Sequence, residues 1–565
     1  MFREIFKNYK KSAIHSTLGR TLTSVMVIIF IAFMIAMVEY AIPSGNRQLI
    51  IKLGITYIFV NVVRAITTFY EDFSETTMEK DIAADYREKI FLKLQNMKQI
   101  DLDTLNAGDI LENMINDTKE VAKYYMDGID RSYAGGVLRL VGTLAVLMYL
   151  NVPIILVAML IYCVGFAVAF IFNKKSLQFT EQKRKINAEI LNFSNEQING
   201  FETIKSLEIQ AQRMADLKNL LKSYEKNVQQ LEKNIRKYTC LYDYIVSFVL
   251  VATIVLSGID ALEGVVSYGV LVILARYISS PETYAKWIIE GFQIRNVCRI
   301  SYQKILEILE KQEENIEEGI ELEEVKKIEF QDIHFAYNEN QTVLNGISFQ
   351  VGKNEKVALI GRTGSGKTSL VNLLCRFYDL EQGQILLNGE NYKNYKIRSL
   401  RDKIGYIMQK VVIFDGTVFE NINYAQKQIS EEEMIAICQK LNLHDKIMTL
   451  ENGYQTKINS ETDLFSNGEK QLINFARVMV EDPEIIILDE ATASLSYKSE
   501  MLVRKAIDEI TKNKISFIIA HRLSTIKNCD KILLMADGKI IEQGNHENLM
   551  KQQGQYYQLI NPQTP

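Results

Sequence analysis

The stretch "KVALIGRTGSGKTSLVNLL" carries G-x-x-x-x-G-K-T at 361–368, after a β-type apolar run and before a helical pattern. Gly361, Gly364 and Gly366 allow the backbone to close around phosphate oxygens, with Arg362, Thr363 and Ser365 between them. The following helix start adds positive potential. Lys367 is placed to reach β- and γ-phosphates, Thr368 to set its hydroxyl on Mg²⁺, and Ser369 closes the run. Farther on, "EIIILDEA" is an apolar strand ending in Asp489 and Glu490. Asp489 suits Mg²⁺; Glu490, one residue on, points elsewhere and suits a base that polarises an attacking water. "SFIIAHRLST" ends a second apolar run at His521, and "GYIMQK" places Gln409 after a third. Such ends are where ligands bind in open α/β sheets, so His521 is a candidate for the γ-phosphate and its water. Gln409 is a candidate for both nucleotide and Mg²⁺. Tyr337, in "HFAYNEN", can stack on adenine, although it is one of 28 tyrosines.

A further stretch, "DLFSNGEKQLINFARV" at 463–478, reads as a helix start. Ser466 as N-cap and Glu469 three residues on form a capping box, and Leu472, Phe475, Ala476 and Met479 recur at helical spacing.

The elements that must hold these residues fall into two halves. With 565 residues the chain is long enough for several domains, and its formal charge of −4 gives no footprint for nucleic acid. The six scattered cysteines include no C-x-x-C pair, which fits a reducing compartment. Six apolar segments occupy the first half, near 22–42, 49–70, 135–152, 153–173, 242–262 and 265–289. Each has about the length that crosses a hydrocarbon core of roughly 30 Å. Short turns ("PSGNR", "NVP", "DALEG") join them in pairs, and two long polar helical stretches separate the pairs. A helix pair of that size reaches about 40 Å past the bilayer. Arg3, Lys7, Lys10, Lys11 and Arg20 precede the first segment, and Lys174, Lys175, Lys183, Arg184 and Lys185 follow the fourth. The positive-inside rule then puts both termini and both long stretches in the cytoplasm. Glu39, Arg64, Arg139 and Arg276 fall in or near the spans, where charges line cavities, pair with one another or snorkel. Residues 311–327, rich in Glu, read as a linker. From 328 to 565 short β-rich runs alternate with helices, the pattern of an α/β domain with a mainly parallel sheet.

The order of Tyr337, "GRTGSGKTS", Gln409, "FSNGEKQ", "IIILDEAT" and His521 resembles the nucleotide-binding domain of ATP-binding-cassette (ABC) proteins. The first half resembles the six-helix exporter type of that family, and 105–121 and 198–210 are similar to its two cytoplasmic loop regions, which end in short coupling helices. The resemblance implies an all-α six-helix transmembrane domain at 1–310, followed after the linker by an α/β P-loop ATPase domain. It implies a half-transporter in the bacterial plasma membrane that pairs with a second half. Two ATP molecules, with Mg²⁺, lie between the two nucleotide domains, and a drug, lipid or peptide is exported. No peptidase region precedes the first segment, so a built-in leader-cleaving function is not expected. The alternative is an ATP-gated channel or a regulator that translocates nothing.

In the family the 465–469 segment usually reads L-S-G-G-Q and grips the γ-phosphate of ATP held on the opposite subunit. Here Ser466 and Gly468 remain, while Phe465, Asn467 and Glu469 replace the other three. A carboxylate at the first turn stabilises the helix but competes with phosphate for the same N–H groups. At about 6 Å and an effective dielectric near 20 the repulsion is roughly 3 kcal/mol per charge pair. The acidic loop before this motif reads "INSETD", and Ser496 stands where the family has Asp. The chain's own phosphate loop, Gln409, Asp489, Glu490 and His521 match the family. The expectation is one working and one impaired ATP site, favouring a heterodimer over a homodimer.

Overall fold

The computed structural model describes residues 9–338, 342–380, 382–424, 429–459, 464–489, 497–519 and 526–561. The chain divides into two compact units: residues up to Gln95 with Asn106–Glu310, and Asn96–Leu105 with Lys311 onward.

The first unit is helical. Its long elements are α1 (Lys10–Ala36, continued by a π-turn to Ala41), α2 (Arg47–Asn96), α3 (Gly136–Leu150), α4 (Val152–Asn199), α5 (Gln210–Leu262), α6 (Tyr268–Tyr277) and α7 (Ser280–Leu309). Among the described residues, three helical stretches are long and apolar enough to cross a membrane: Ala13–Ala41, Arg47–Asn96 and Asp243–Leu262. Gly136–Leu150 and Val152–Val164 are shorter apolar helices. The turn "NVP" is explained by its residues. The Asn151 side chain accepts from the Ile154 N–H at 3.2 Å, and Pro153 sits in the first turn of α4, where no N–H is needed.

The sixth apolar segment, expected as one run over 265–289, is instead two helices. Pro281 is the reason. A proline ring clashes with the carbonyl four residues back, here Tyr277, and α6 ends at Tyr277. The Tyr162 hydroxyl donates to the Ile278 carbonyl at 2.7 Å and satisfies the backbone exposed by the break.

The second unit contains a two-stranded sheet, β7 (Gly416–Thr417) with β8 (Lys457–Ile458), and two larger ones. One is antiparallel, in the order β2-β1-β4-β5, built from β1 (Lys327–Ala336), β2 (Thr342–Gly352), β4 (Gln382–Leu387) and β5 (Glu390–Asn391). The other has the order β12-β11-β3-β10-β9-β6, from β3 (Lys356–Ile360), β6 (Ile404–Ile407), β9 (Ile485–Asp489), β10 (Ile515–Ile519), β11 (Lys531–Ala536) and β12 (Lys539–Gly544). All its pairings are parallel except β11 with β12. A parallel sheet is covered on both faces, which is why "IIIL" and "ISFII" are continuous apolar runs. Ile486, Leu488 and Ile518 pack on the side of helix α9 (Asn467–Glu481) with its Leu472, Phe475 and Ala476. Ile485, Ile487, Phe517 and Ile519 pack on the other side, with Leu370, Leu373 and Leu374 of α8 (Lys367–Leu374).

Phe475 is fully buried in that core. Phe475→Ala is expected to cost about 3–5 kcal/mol, roughly 10 °C in the melting temperature of a domain of this size. Thermal unfolding of the purified full chain checks this; an unchanged midpoint would mean that α9 is not packed there.

Candidate nucleotide site

The main sheet gathers the site at one edge. Because β3, β6, β9 and β10 run parallel, their carboxyl ends lie side by side. Ile519 pairs with Leu359 on one side and Asp489 on the other, and Ile407 pairs with Leu488. The phosphate loop leaves β3, Asp489 ends β9 half-exposed, and Gln409 follows β6 on an exposed turn. The same edge thus receives the chain leading to His521, but His521, Glu490 and Ser496 lie outside the described residues. Burial, and next the Asp489 carboxylate, push the Tyr406 phenol upward; that carboxylate is therefore within electrostatic reach of the strand-end tyrosine on β6.

The phosphate loop has the backbone the spacing requires. Gly364 has φ +83° and Gly366 φ +98°, a left-handed conformation that costs other residues about 1–2 kcal/mol. A Cβ on Gly366 would also meet Leu344 Cδ2 at 2.6 Å. Gly366 is the N-cap of α8 and places no side chain over the first-turn N–H groups, the arrangement in which a helix start suits an anion. The Lys367 ammonium is buried and donates to the carbonyls of Gly361 and Arg362, both at 2.9 Å. Arg362, Thr363 and Gly364 are exposed on the loop, and Ser365 is buried beside Lys367, its Oγ 3.4 Å from the ammonium. The Thr368 side chain faces out. Tyr337 and Ser369 share a hydrogen bond of 2.9 Å, and the Tyr337 ring stands edge-on to Phe335 and Tyr378. The donor set fits nucleotide chemistry: backbone N–H groups and an ammonium for phosphate, and hard hydroxyl and carboxylate oxygens for a divalent cation.

The second helix start is built differently. At α9 the Ser466 N–H donates to Glu469 Oε2 at 2.7 Å, and the Glu469 N–H donates to Ser466 Oγ at 3.4 Å. This is a complete capping box on one of the orphan ends. Asn467 is exposed and Gly468 buried in the same turn.

Two family models match the chain: the ABC transporter transmembrane region over residues 14–280 and the ABC transporter model over 344–493. The chain is an ABC transporter. A probable multidrug resistance ABC transporter of Bacillus subtilis, YheH, is 33 % identical over 480 residues, 84 % of this chain and 71 % of that one. A putative multidrug export ATP-binding/permease protein of Staphylococcus aureus is 28 % identical over 536 residues, 93 % of this chain and 92 % of that one. The structure of a bacterial Atm1-family ABC exporter with ATP bound has the same fold, with a TM-score of 0.81 at 20 % identity and 99 % of each chain covered. This transporter is therefore a multi-pass membrane protein of the exporter type, an ATP-binding half-transporter that works as a dimer and couples ATP hydrolysis to transport.

Contacts within the second unit add residues that spacing did not single out. Gln471 Nε2 donates to the Gln409 carbonyl at 3.2 Å, tying α9 to the Gln409 turn. Arg477 donates to the carbonyls of Val412 and Asn421, and burial lowers its pKa. Tyr378 packs on Tyr337 and donates to Asp103 Oδ2 at 2.6 Å. A polar residue one turn into an apolar helix face was the available signal for Gln471; Tyr378 had none beyond its aromatic type.

Gly366→Ala is expected to weaken binding of a fluorescent ATP analogue tenfold or more while far-UV circular dichroism stays unchanged. Wild-type affinity in this variant would contradict the loop geometry.

Proposed function

We propose that this transporter exports a drug, lipid or peptide from the cytoplasm, in a heterodimer whose two ATP sites are unequal. The observation that carries the asymmetry is the bond from the Ser466 N–H to the Glu469 carboxylate. In the proposed dimer α9 faces ATP held on the partner subunit. Its serine hydroxyl accepts from the Glu469 N–H, its Ser466 N–H is held by the Glu469 carboxylate, and that carboxylate repels phosphate. Helix α8 has no such competitor. This chain then supplies the sound half of one pocket and the impaired half of the other. A homodimer would put the impaired half in both.

The roles follow the donor chemistry. Gly361 to Ser369 cradle the phosphates, with Lys367 on the β- and γ-phosphates, and Tyr337 stacks on adenine. Thr368, Gln409 and Asp489 would hold Mg²⁺, which when bound would neutralise phosphate charge. Glu490 polarises the attacking water and His521 contacts the γ-phosphate. The domains run 1–310, 311–327 and 328–565, with both termini cytoplasmic in the plasma membrane. The short helix Phe201–Ser206 has no buried residue, and Phe201 and Leu207 are exposed. That supports its use as a coupling helix on a partner surface. ATP closes the nucleotide domains, the long helices carry the motion to the spans, and the cavity turns outward.

Three measurements test this reading. Glu490→Gln should keep ATP binding and lose most turnover; unchanged turnover would remove the assigned role. Glu469→Gln, which keeps a residue able to complete the capping box but removes its charge, should strengthen nucleotide retention at the impaired site about tenfold or more, through removal of roughly 3 kcal/mol of repulsion. No gain would sink the asymmetry. Robust cooperative ATPase from the chain purified alone would count against the heterodimer.

A further inference from the structure

The first unit holds a cavity of about 370 Å³, within the small-ligand range, walled by α1, α2, the 127–139 stretch and α7. Its charged lining is largely matched. Arg20 pairs with Glu71 at 2.6 Å and also with Glu75. Arg139 donates to Ser24 Oγ at 2.9 Å and lies 3.9 Å from Glu71. Arg131 reaches Asp127 at 3.4 Å. Arg64 differs: among the described residues it has no carboxylate within ion-pair distance, and its guanidinium lies over the Phe30 ring at 5.7 Å. Asp72, also on α2, is two turns away, about 12 Å along the axis, and exposed.

A guanidinium stacked on an aromatic face keeps its N–H donors at its edge, in the plane that suits an oxyanion. An unmatched cation facing a cavity among spans is costly unless it meets an anion. Beside it, Trp287 and Val27 offer apolar wall, and Arg131 and Arg139 pack on Trp287 at 5.1 and 5.3 Å. We propose that this cavity binds an amphipathic organic anion, its carboxylate, sulfate or phosphate group on Arg64 and its apolar body along Val27 and Trp287. The proposal rests on the export reading and names its substrate class. The oxyanion can belong to a soluble amphiphile or to an anionic lipid of the bilayer.

Trp287 is the only tryptophan in the chain and therefore reports on the site. The test uses the assembled transporter in phosphatidylcholine nanodiscs, with pyrenebutyrate and its neutral amide as probes of tryptophan quenching. The signal assigned to the site is the part lost in Trp287→Phe. The anion should quench at a midpoint at least tenfold below that of the amide. Arg64→Gln should reduce this preference to within twofold, and Arg64→Lys, which keeps the charge but not the planar fork, should hold it between about twofold and tenfold. Equal midpoints in the wild type, or a preference that survives Arg64→Gln, overturns the proposal. A midpoint raised several-fold by phosphatidylglycerol in the wild type but not in Arg64→Gln supports a lipid source; no such rise, with the anion preference kept, supports a soluble one. ATP-driven transport is measured separately in vesicles. Its absence with the anion preference intact would count against export alone, and its presence without the preference against the site alone.

Discussion

The N–H groups at the start of a helix draw negative charge, whether a capping side chain or a bound anion supplies it. The proposed inequality of the two ATP sites rests on how two helix starts of this transporter are filled. At α8 a glycine in the left-handed region turns the chain into the helix without a side-chain cap, beside a buried lysine. At α9 a serine and a glutamate close on each other. The second arrangement stabilises its helix by about 1 kcal/mol and sets a fixed negative charge where the ABC family binds phosphate. In the proposed dimer that charge is what would make this helix start a poor phosphate grip.

The parallel sheet makes the first helix start useful. Strand pairing brings the phosphate loop, Asp489 and the Gln409 turn to one edge, and Gln471 links that edge to α9. The helix that would serve the partner's nucleotide is thus bonded to a turn beside this chain's own. In the proposed dimer such a linkage would give a physical route between the two pockets. It passes through a backbone carbonyl, so a change of side chain at Gln409 does not remove it.

Much of this was legible in the sequence because the decisive interactions are local. The glycine spacing of 361–368, the Ser466–Glu469 box and the "NVP" turn each involve residues within one or two turns, and residue type alone specifies them. The parallel sheet was legible from its unbroken apolar runs. Other features depend on tertiary neighbours. Pro281 was visible, but the apolar run continued through it, and hydropathy outweighed a break whose carbonyl is satisfied by the distant Tyr162. Arg64 and Arg139 were noticed as charges in spans, yet their different partners, Phe30 for one and Ser24 with Glu71 for the other, come from separate helices. The membership of Asn96–Leu105 in the second unit likewise rests on contacts such as Lys98 with Asp379, 281 residues apart.

The most direct test is a cryo-EM map of the assembled transporter with bound nucleotide. The account predicts two different pockets, with the Glu469 carboxylate still on the Ser466 N–H and away from the terminal phosphate. Two identical pockets, each closed by residue 469 within hydrogen-bonding range of a γ-phosphate, would contradict it.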